Sequence, residues 1–147
     1  MDVSRKRSAI MVLIALLWLG ITALGMMKQF LPAMILGVVL MFLHMFLGVA
    51  RKGKVSIPFL VYPLLSWAVL WGASFILSKH YSDAFAGQMP AFTILGLHPS
   101  FAWTVLTYWI GGMLTLTLGF MFFRSQWLSD ADWDEFLAKI AHDGEGA

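Results

Sequence analysis

Hydrophobic positions in this chain do not alternate with polar ones; they run together. Four stretches, roughly residues 9 to 27, 31 to 50, 57 to 77 and 100 to 123, are almost free of charge, and each holds the ~20 mostly apolar residues needed to cross ~30 Å of hydrocarbon. The pattern predicts an all-α membrane protein, a single membrane domain over residues 1–147 folded as a four-transmembrane-helix antiparallel bundle. Only MKQFLP separates the first two runs. That is too short for anything but a tight hairpin, and Pro32 falls near the first turn of the second helix, where a missing N–H costs little.

Two segments lie outside this pattern. The connection over residues 78–99 is too long for a simple turn and yet apolar, with Gly87, Pro90 and Gly96 interrupting it; it predicts a loop or short helix lying at the membrane interface or against the bundle. After Arg124 the chain turns polar, and residues 128–141 predict an amphipathic helix. Ser129 suits its N-cap, and Asp130, Asp132, Asp134 and Glu135 suit its first turns. Trp133, Phe136, Leu137 and Ile140 recur at helical spacing. Two readings fit that stripe: a surface helix with Trp127 and Trp133 resting in the interface, or a helix that docks on a partner. Its acidity disfavours anionic lipid and so counts towards a protein.

Charge adds an orientation. Arg5, Lys6 and Arg7 precede the first run, Arg51, Lys52 and Lys54 separate the second from the third, and Arg124 closes the fourth, whereas the opposite side has only Lys28 and Lys79. Basic residues in short loops favour the cytoplasm, which puts both termini there (N-in/C-in), the 78–99 loop outside and the tail helix inside. The first run continues to Met27 without a small-residue cleavage site before Lys28, so it reads as a retained span and not a signal peptide. The setting implied is integral to a membrane, a bacterial inner (plasma) membrane.

Composition then narrows the chemistry. Residues are 60% hydrophobic and 12% charged, against ~25% charged in soluble domains. No carboxylate occurs between Val3 and Ser82, and there is no cysteine, which removes thiol catalysis, thiolate metal sites and disulfide chemistry. The net charge of +2 sits in short flanks, so nucleic acid is not an expected partner; the lipid bilayer is. A coupled transporter commonly needs a carboxylate at mid-membrane, and none is available. Neither is a set of paired carboxylates or a Ser-His-acid arrangement, so an enzyme is not expected, and no catalytic residue is assigned.

The histidines are the remaining candidates. His44 falls ~20 Å along the second helix from its start, deep enough that an ionisable group is notable. It is the candidate cofactor-binding residue, as a ligand to a quinone or part of a proton relay; the plainer reading is a neutral ring bonded to a hydroxyl of another helix, such as Ser66. His98 stands at the outer boundary, too far from His44 for both to ligate one haem iron. His80, His98 and Asp83 have no metal-site spacing, so neither a metal nor any other cofactor is expected. Gly111, Gly112, Thr115 and Gly119, with Tyr108, give the fourth span a close-packing face, for contacts within the chain or with another subunit. In GLHPSFAW, Pro99 suits the first turn of the fourth helix, with Ser100 or the loop before it as the cap, and His98, Pro99 and Trp103 belong to the loop-to-helix junction at the interface.

ILGLHPSFAW, followed by a span that ends in FMFFRSQWLSDADWDEF, resembles the small integral-membrane subunits of two-component sodium:solute symporters. The match rests on Gly96, Pro99, Phe101 and Trp103 at one end and Phe123, Arg124, Asp132 and Asp134 at the other, about a quarter of the chain; those subunits usually have two spans where this chain has four. The resemblance implies a non-catalytic role beside a larger membrane subunit. The expected function is therefore an accessory, stabilising or regulatory subunit of a membrane transport complex, with Trp133, Phe136, Leu137 and Ile140 as the docking residues. Two alternatives stay open: a quinone- or haem-associated anchor of a redox complex, and a homo-oligomeric pore or transporter.

Overall fold

A computed structural model describes residues 6–50 and 54–144. Arg5, Arg51 and Lys52, which carry part of the charge asymmetry, lie outside the described residues. The described chain is helical, with four helices long and apolar enough to cross a membrane: α1 (Arg7–Met26), α2 (Phe30–Gly48), α3 (Ile57–Ala84) and α4 (Pro99–Phe122). A fifth, α5 (Asp130–Gly144), follows a single turn over Arg124–Trp127. The third helix runs seven residues past the predicted boundary at 77, so the apolar connection is a 14-residue loop over 85–98 and not 78–99. Ser78, Lys79, His80 and Asp83 are polar, but Lys79 and Asp83 form an i,i+4 ion pair on the helix surface, an arrangement that extends a helix into water where apolar counting stops.

The α1–α2 hairpin turns on three residues. Lys28 N–H donates to the Gly25 carbonyl at 3.0 Å and Gln29 N–H to the Leu24 carbonyl at 2.9 Å, the Schellman pairing that satisfies the last carbonyls of a helix. Its left-handed position, normally glycine, is Lys28 at φ 59°. α3 starts at Ser56, whose Oγ accepts the Phe59 amide at 3.3 Å and also bonds Gln126 beyond α4. Pro63 lies inside α3, where its ring would meet the carbonyl four residues back. The helix widens to π geometry over Leu60–Leu65, and Ser66 Oγ donates to the Val61 carbonyl at 3.0 Å.

α3 and α4 run in opposite directions in contact over their whole length. Residues descending along α3 meet residues ascending along α4: Ser78 with Ser100 and Thr104, Trp71 stacked on Tyr108 at 5.2 Å, Trp67 against Gly112, Pro63 against Gly119, and Phe59 edge-on to Phe120 at 5.0 Å. The sequence-selected face of α4 thus packs within the chain. A Cβ on Gly119 would stand 2.6 Å from Pro63 Cβ, and one on Gly111 would stand 2.9 Å from a Leu70 methyl. Thr115 turns its hydroxyl back to the Gly111 carbonyl at 2.7 Å and Thr107 to Trp103 at 2.6 Å, in turns widened over Thr104–Ile110 and Met113–Thr117. Such bonds satisfy the hydroxyl locally where lipid offers no partner.

The close helix pairs are the consecutive ones, α1 with α2, α2 with α3 and α3 with α4. α1 lays Ile10, Ile14, Leu17, Ile21 and Leu24 half-buried on the bundle and buries no residue fully. The densest core is at the end near the tail, where Phe46, Val55, Phe59 and Leu64 are buried and Phe120, Phe123 and Trp127 pack on them. Trp127 folds back onto the bundle: its Nε1 donates to the Phe120 carbonyl at 3.0 Å and its ring lies 5.4 Å from that of Phe120.

The Gly119–Pro63 contact leads to a test. Gly119→Ala should cost ~1–3 kcal/mol through overpacking, whereas Gly25→Ala, whose Cβ meets nothing within 4 Å, should be neutral or gain ~0.5–1 kcal/mol. Unfolding of both variants in detergent micelles, followed by circular dichroism, checks this; equal effects would discount the contact.

Candidate functional site

The features with functional potential gather at the end of the bundle that carries the 85–98 loop. Pro99 is buried at the first turn of α4, and the cap in front of it is His98, not Ser100. The His98 backbone is extended and its Nδ1 accepts the Ser100 amide at 3.2 Å, with Ser100 Oγ 2.8 Å away. The histidine supplies the lone pair that a Ser or Asp usually gives at this position, and Phe85 meets its ring at right angles, 5.9 Å away.

From this cap a ladder of hydroxyls descends between α3 and α4. Ser78 Oγ donates to the Ser100 carbonyl at 2.7 Å and lies 2.8 Å from Thr104 Oγ1, which Ser74 Oγ approaches at 3.5 Å. Ser74 is almost fully buried. The sequence pattern does not predict the ladder, although serines at 74 and 78, one helical turn apart in an apolar run, are a readable sign of a shared face.

Beside the ladder opens a cleft of about 540 Å³ between α2, α3 and α4, lined by Lys28, Gln29, Ser78, Lys79, Ser82 and Thr104 on its polar side and by Phe30, Phe75 and Phe101 on its apolar side. Below it a second space of about 440 Å³ shares Phe30, Met34 and Phe75 and continues past Gly37, Met41 and Trp71. The two spaces are adjacent along α2, the first with a polar rim and the second apolar and bounded on its other side by Trp18 and Ile21 of α1; together they are termed the groove. Lys28 and Lys79 are its charged linings; in the sequence they stand only as two isolated flanking charges.

The loop over 85–98 is ordered by aromatic contacts. Phe85 and Phe92 stand 5.9 Å apart, and Tyr81 packs on both. Ile94 and Leu97 exchange two backbone hydrogen bonds of 3.1 and 3.0 Å around Leu95 and Gly96, which sit at φ 53° and 73°. This is a tight turn that requires positive φ at both central positions; Gly96 adopts it freely, and Leu95 is strained and exposed.

The other sequence candidates fall elsewhere. His44 is exposed on the side of α2, and its Nδ1 lies 2.9 Å from the Leu40 carbonyl of its own helix. It makes no bond to Ser66, whose hydroxyl is taken by Val61, and it does not face the helix interfaces where a ligand would be enclosed. Trp103 is half-buried, and its indole N–H is buried without a partner among the described residues. In the tail, Ser129 and Asp132 form a reciprocal cap, with Asp132 N–H donating to Ser129 Oγ at 3.2 Å and Ser129 N–H to Asp132 Oδ2 at 2.9 Å. Arg124 joins Asp130 at 2.9 Å. Trp133, Phe136, Leu137 and Ile140 are each about half exposed, in one stripe.

Compared with known protein families, characterised proteins and solved structures, the chain matches none.

The cap predicts a graded response. His98→Ala should cost ~1 kcal/mol and His98→Asn much less, since Asn restores an acceptor at the N-cap. Hydrogen exchange at the first amides of α4 reads it directly: they should exchange faster in the alanine variant, and no difference would show that the ring does not cap.

Proposed function

We propose that this protein is an accessory subunit of a membrane transport complex, inserted through α1–α4 with both termini and α5 on the cytoplasmic side. The observation that carries this reading is α5. Its apolar stripe of Trp133, Phe136, Leu137 and Ile140 stays open, the Trp133 and Phe136 rings lie 5.6 Å apart, the Ser129–Asp132 cap starts the helix, and the Arg124–Asp130 pair links it back towards α4.

An open apolar stripe on an amphipathic helix fits either a bilayer surface or a protein. Charge favours a protein. From Asp130 to Gly144 there are five carboxylates and one lysine, the reverse of the basic face that anionic cytoplasmic leaflets attract. A protein groove with a basic rim suits both faces of the helix. The outlying position of α1, with no fully buried residue, adds a second flank for a larger membrane subunit. Transport as the setting is supported by the resemblance of residues 94–103 and 120–136 to symporter small subunits.

The chain, tagged at its native expression level and extracted in mild detergent, should migrate as an assembly well above 16.4 kDa with one larger polytopic protein in fixed stoichiometry. Exchanging Trp133 and Phe136 for serine should lower recovery of that protein at least about 10-fold, the equivalent of ~1.4 kcal/mol, with the α1–α4 fold intact. A chain that migrates alone, or only with copies of itself, overturns the subunit reading; unchanged recovery with the double variant overturns docking through α5.

A further inference from the structure

We propose that the groove at the loop end is a binding site for one anionic phospholipid, its phosphate between Lys28 and Lys79 and an acyl chain along α2. The proposal rests on the placement of α1–α4 in a bilayer and is independent of the subunit role.

Three observations carry it. The first is the division of the groove by polarity. Its mouth offers two ammonium groups with Gln29, Ser82 and the ladder hydroxyls of Ser78 and Thr104, while the space below is walled by Phe30, Met34, Gly37, Met41, Trp71 and Phe75. A ligand that satisfies both must be charged at one end and apolar along its length. A soluble anion leaves the lower part empty, and a neutral hydrocarbon leaves Lys28 without a counter-ion.

Depth is the second. From Phe30 to Met41 the groove follows eleven residues of α2, ~16 Å at 1.5 Å per residue, about half the ~30 Å hydrocarbon thickness. It therefore reaches from one water boundary to the bilayer middle, the reach of a single leaflet. Lys28 follows the last turn of α1 and Lys79 lies near the end of α3, both at the level where lipid phosphates sit; the flexible lysine stem allows the ammonium to meet them there.

The third is Lys28 itself. It occupies the left-handed position of the hairpin turn, φ 59°, where glycine is free of strain and lysine is not. A residue held against its backbone preference at the mouth of a charged cleft points to a role for its side chain. Lys28 also has no ion pair among the described residues, whereas Lys79 is bridged to the exposed Asp83, the one carboxylate between Val3 and Ser129. A phosphate displaces that contact in part, with Lys28 supplying the unshared charge.

The test uses the purified full chain in neutral detergent, with native mass spectrometry and thermal unfolding as readouts and four probes: phosphatidylglycerol, phosphatidylcholine with the same acyl chains, glycerol phosphate and inorganic phosphate. Phosphatidylglycerol should bind one per chain, at least about 5-fold tighter than phosphatidylcholine, and raise the melting temperature; the two soluble anions should neither bind nor compete at equal concentration. Lys28→Gly is the informative variant, since it relieves backbone strain while removing the charge: the lipid-free protein should melt higher, and the preference for phosphatidylglycerol should fall to about 2-fold or less. Gly37→Leu fills the apolar wall, where an added Cβ meets nothing within 4 Å, and should weaken both lipids alike. Equal binding of the two lipids overturns the proposal, as does an unchanged preference in Lys28→Gly. Competition by glycerol phosphate or inorganic phosphate at equal concentration would show a headgroup site without a lipid tail and also overturns it.

Discussion

Everything in this structure hangs on how closely α3 and α4 approach. In a bilayer the hydrophobic effect does not press helices together, because lipid tails are as apolar as leucine; packing and hydrogen bonds must do it. Here that approach is close enough that the Pro63 ring lies on the bare backbone of Gly119. A proline in mid-helix and a glycine opposite it are each locally unfavourable. Together they make a fitted pair, the widened turn around Pro63 yielding the space its ring needs and Gly119 accepting what protrudes.

From that contact the interface changes chemistry in each direction. Towards the tail it is aromatic: Phe59 is caught edge-on between Phe120 and Phe123, and Trp127 folds back over Phe120. Towards the loop it becomes Trp71 on Tyr108 and then the hydroxyls of Ser74, Ser78, Ser100 and Thr104. Buried hydroxyls in hydrocarbon need partners, and by finding them across the interface they fix register where apolar side chains alone would slide. The His98 cap completes this end, since the Ser100 it holds by amide and hydroxyl is also the residue whose carbonyl receives Ser78.

The membrane-spanning runs were legible because hydropathy is a sum over ~20 residues and tolerates local error. The small residues of α4 were legible as a face, and lie on one against α3, because glycine in an apolar helix has few other uses. What escaped was everything set by pairs of residues far apart in the chain. Ser78 and Thr104 are unremarkable until α3 and α4 are superposed, and Lys28 and Lys79 are two flanking charges until the fold brings them to one cleft. His44 shows the opposite limit. Its depth along α2 marked it, but periodicity did not say which side of the helix would be covered, and its ring is bonded within its own helix.

The same asymmetry explains where open surface remains. α3 and α4 satisfy each other, so their free faces ask only for lipid. The α1–α2 hairpin is joined to them mainly through α2, and that one-sided attachment leaves a seam, closed by Phe46 and Phe59 at the tail end and open at the loop end. A seam that is shut by aromatic rings at one end and lined by lysines and serines at the other has a built-in polarity: apolar molecules of the bilayer fit along it, but only one with an anionic end satisfies its mouth. The groove is in this sense a consequence of the strong α3–α4 pairing, which withdraws the polar ladder from α2 and leaves the hairpin turn with its strained lysine facing the gap.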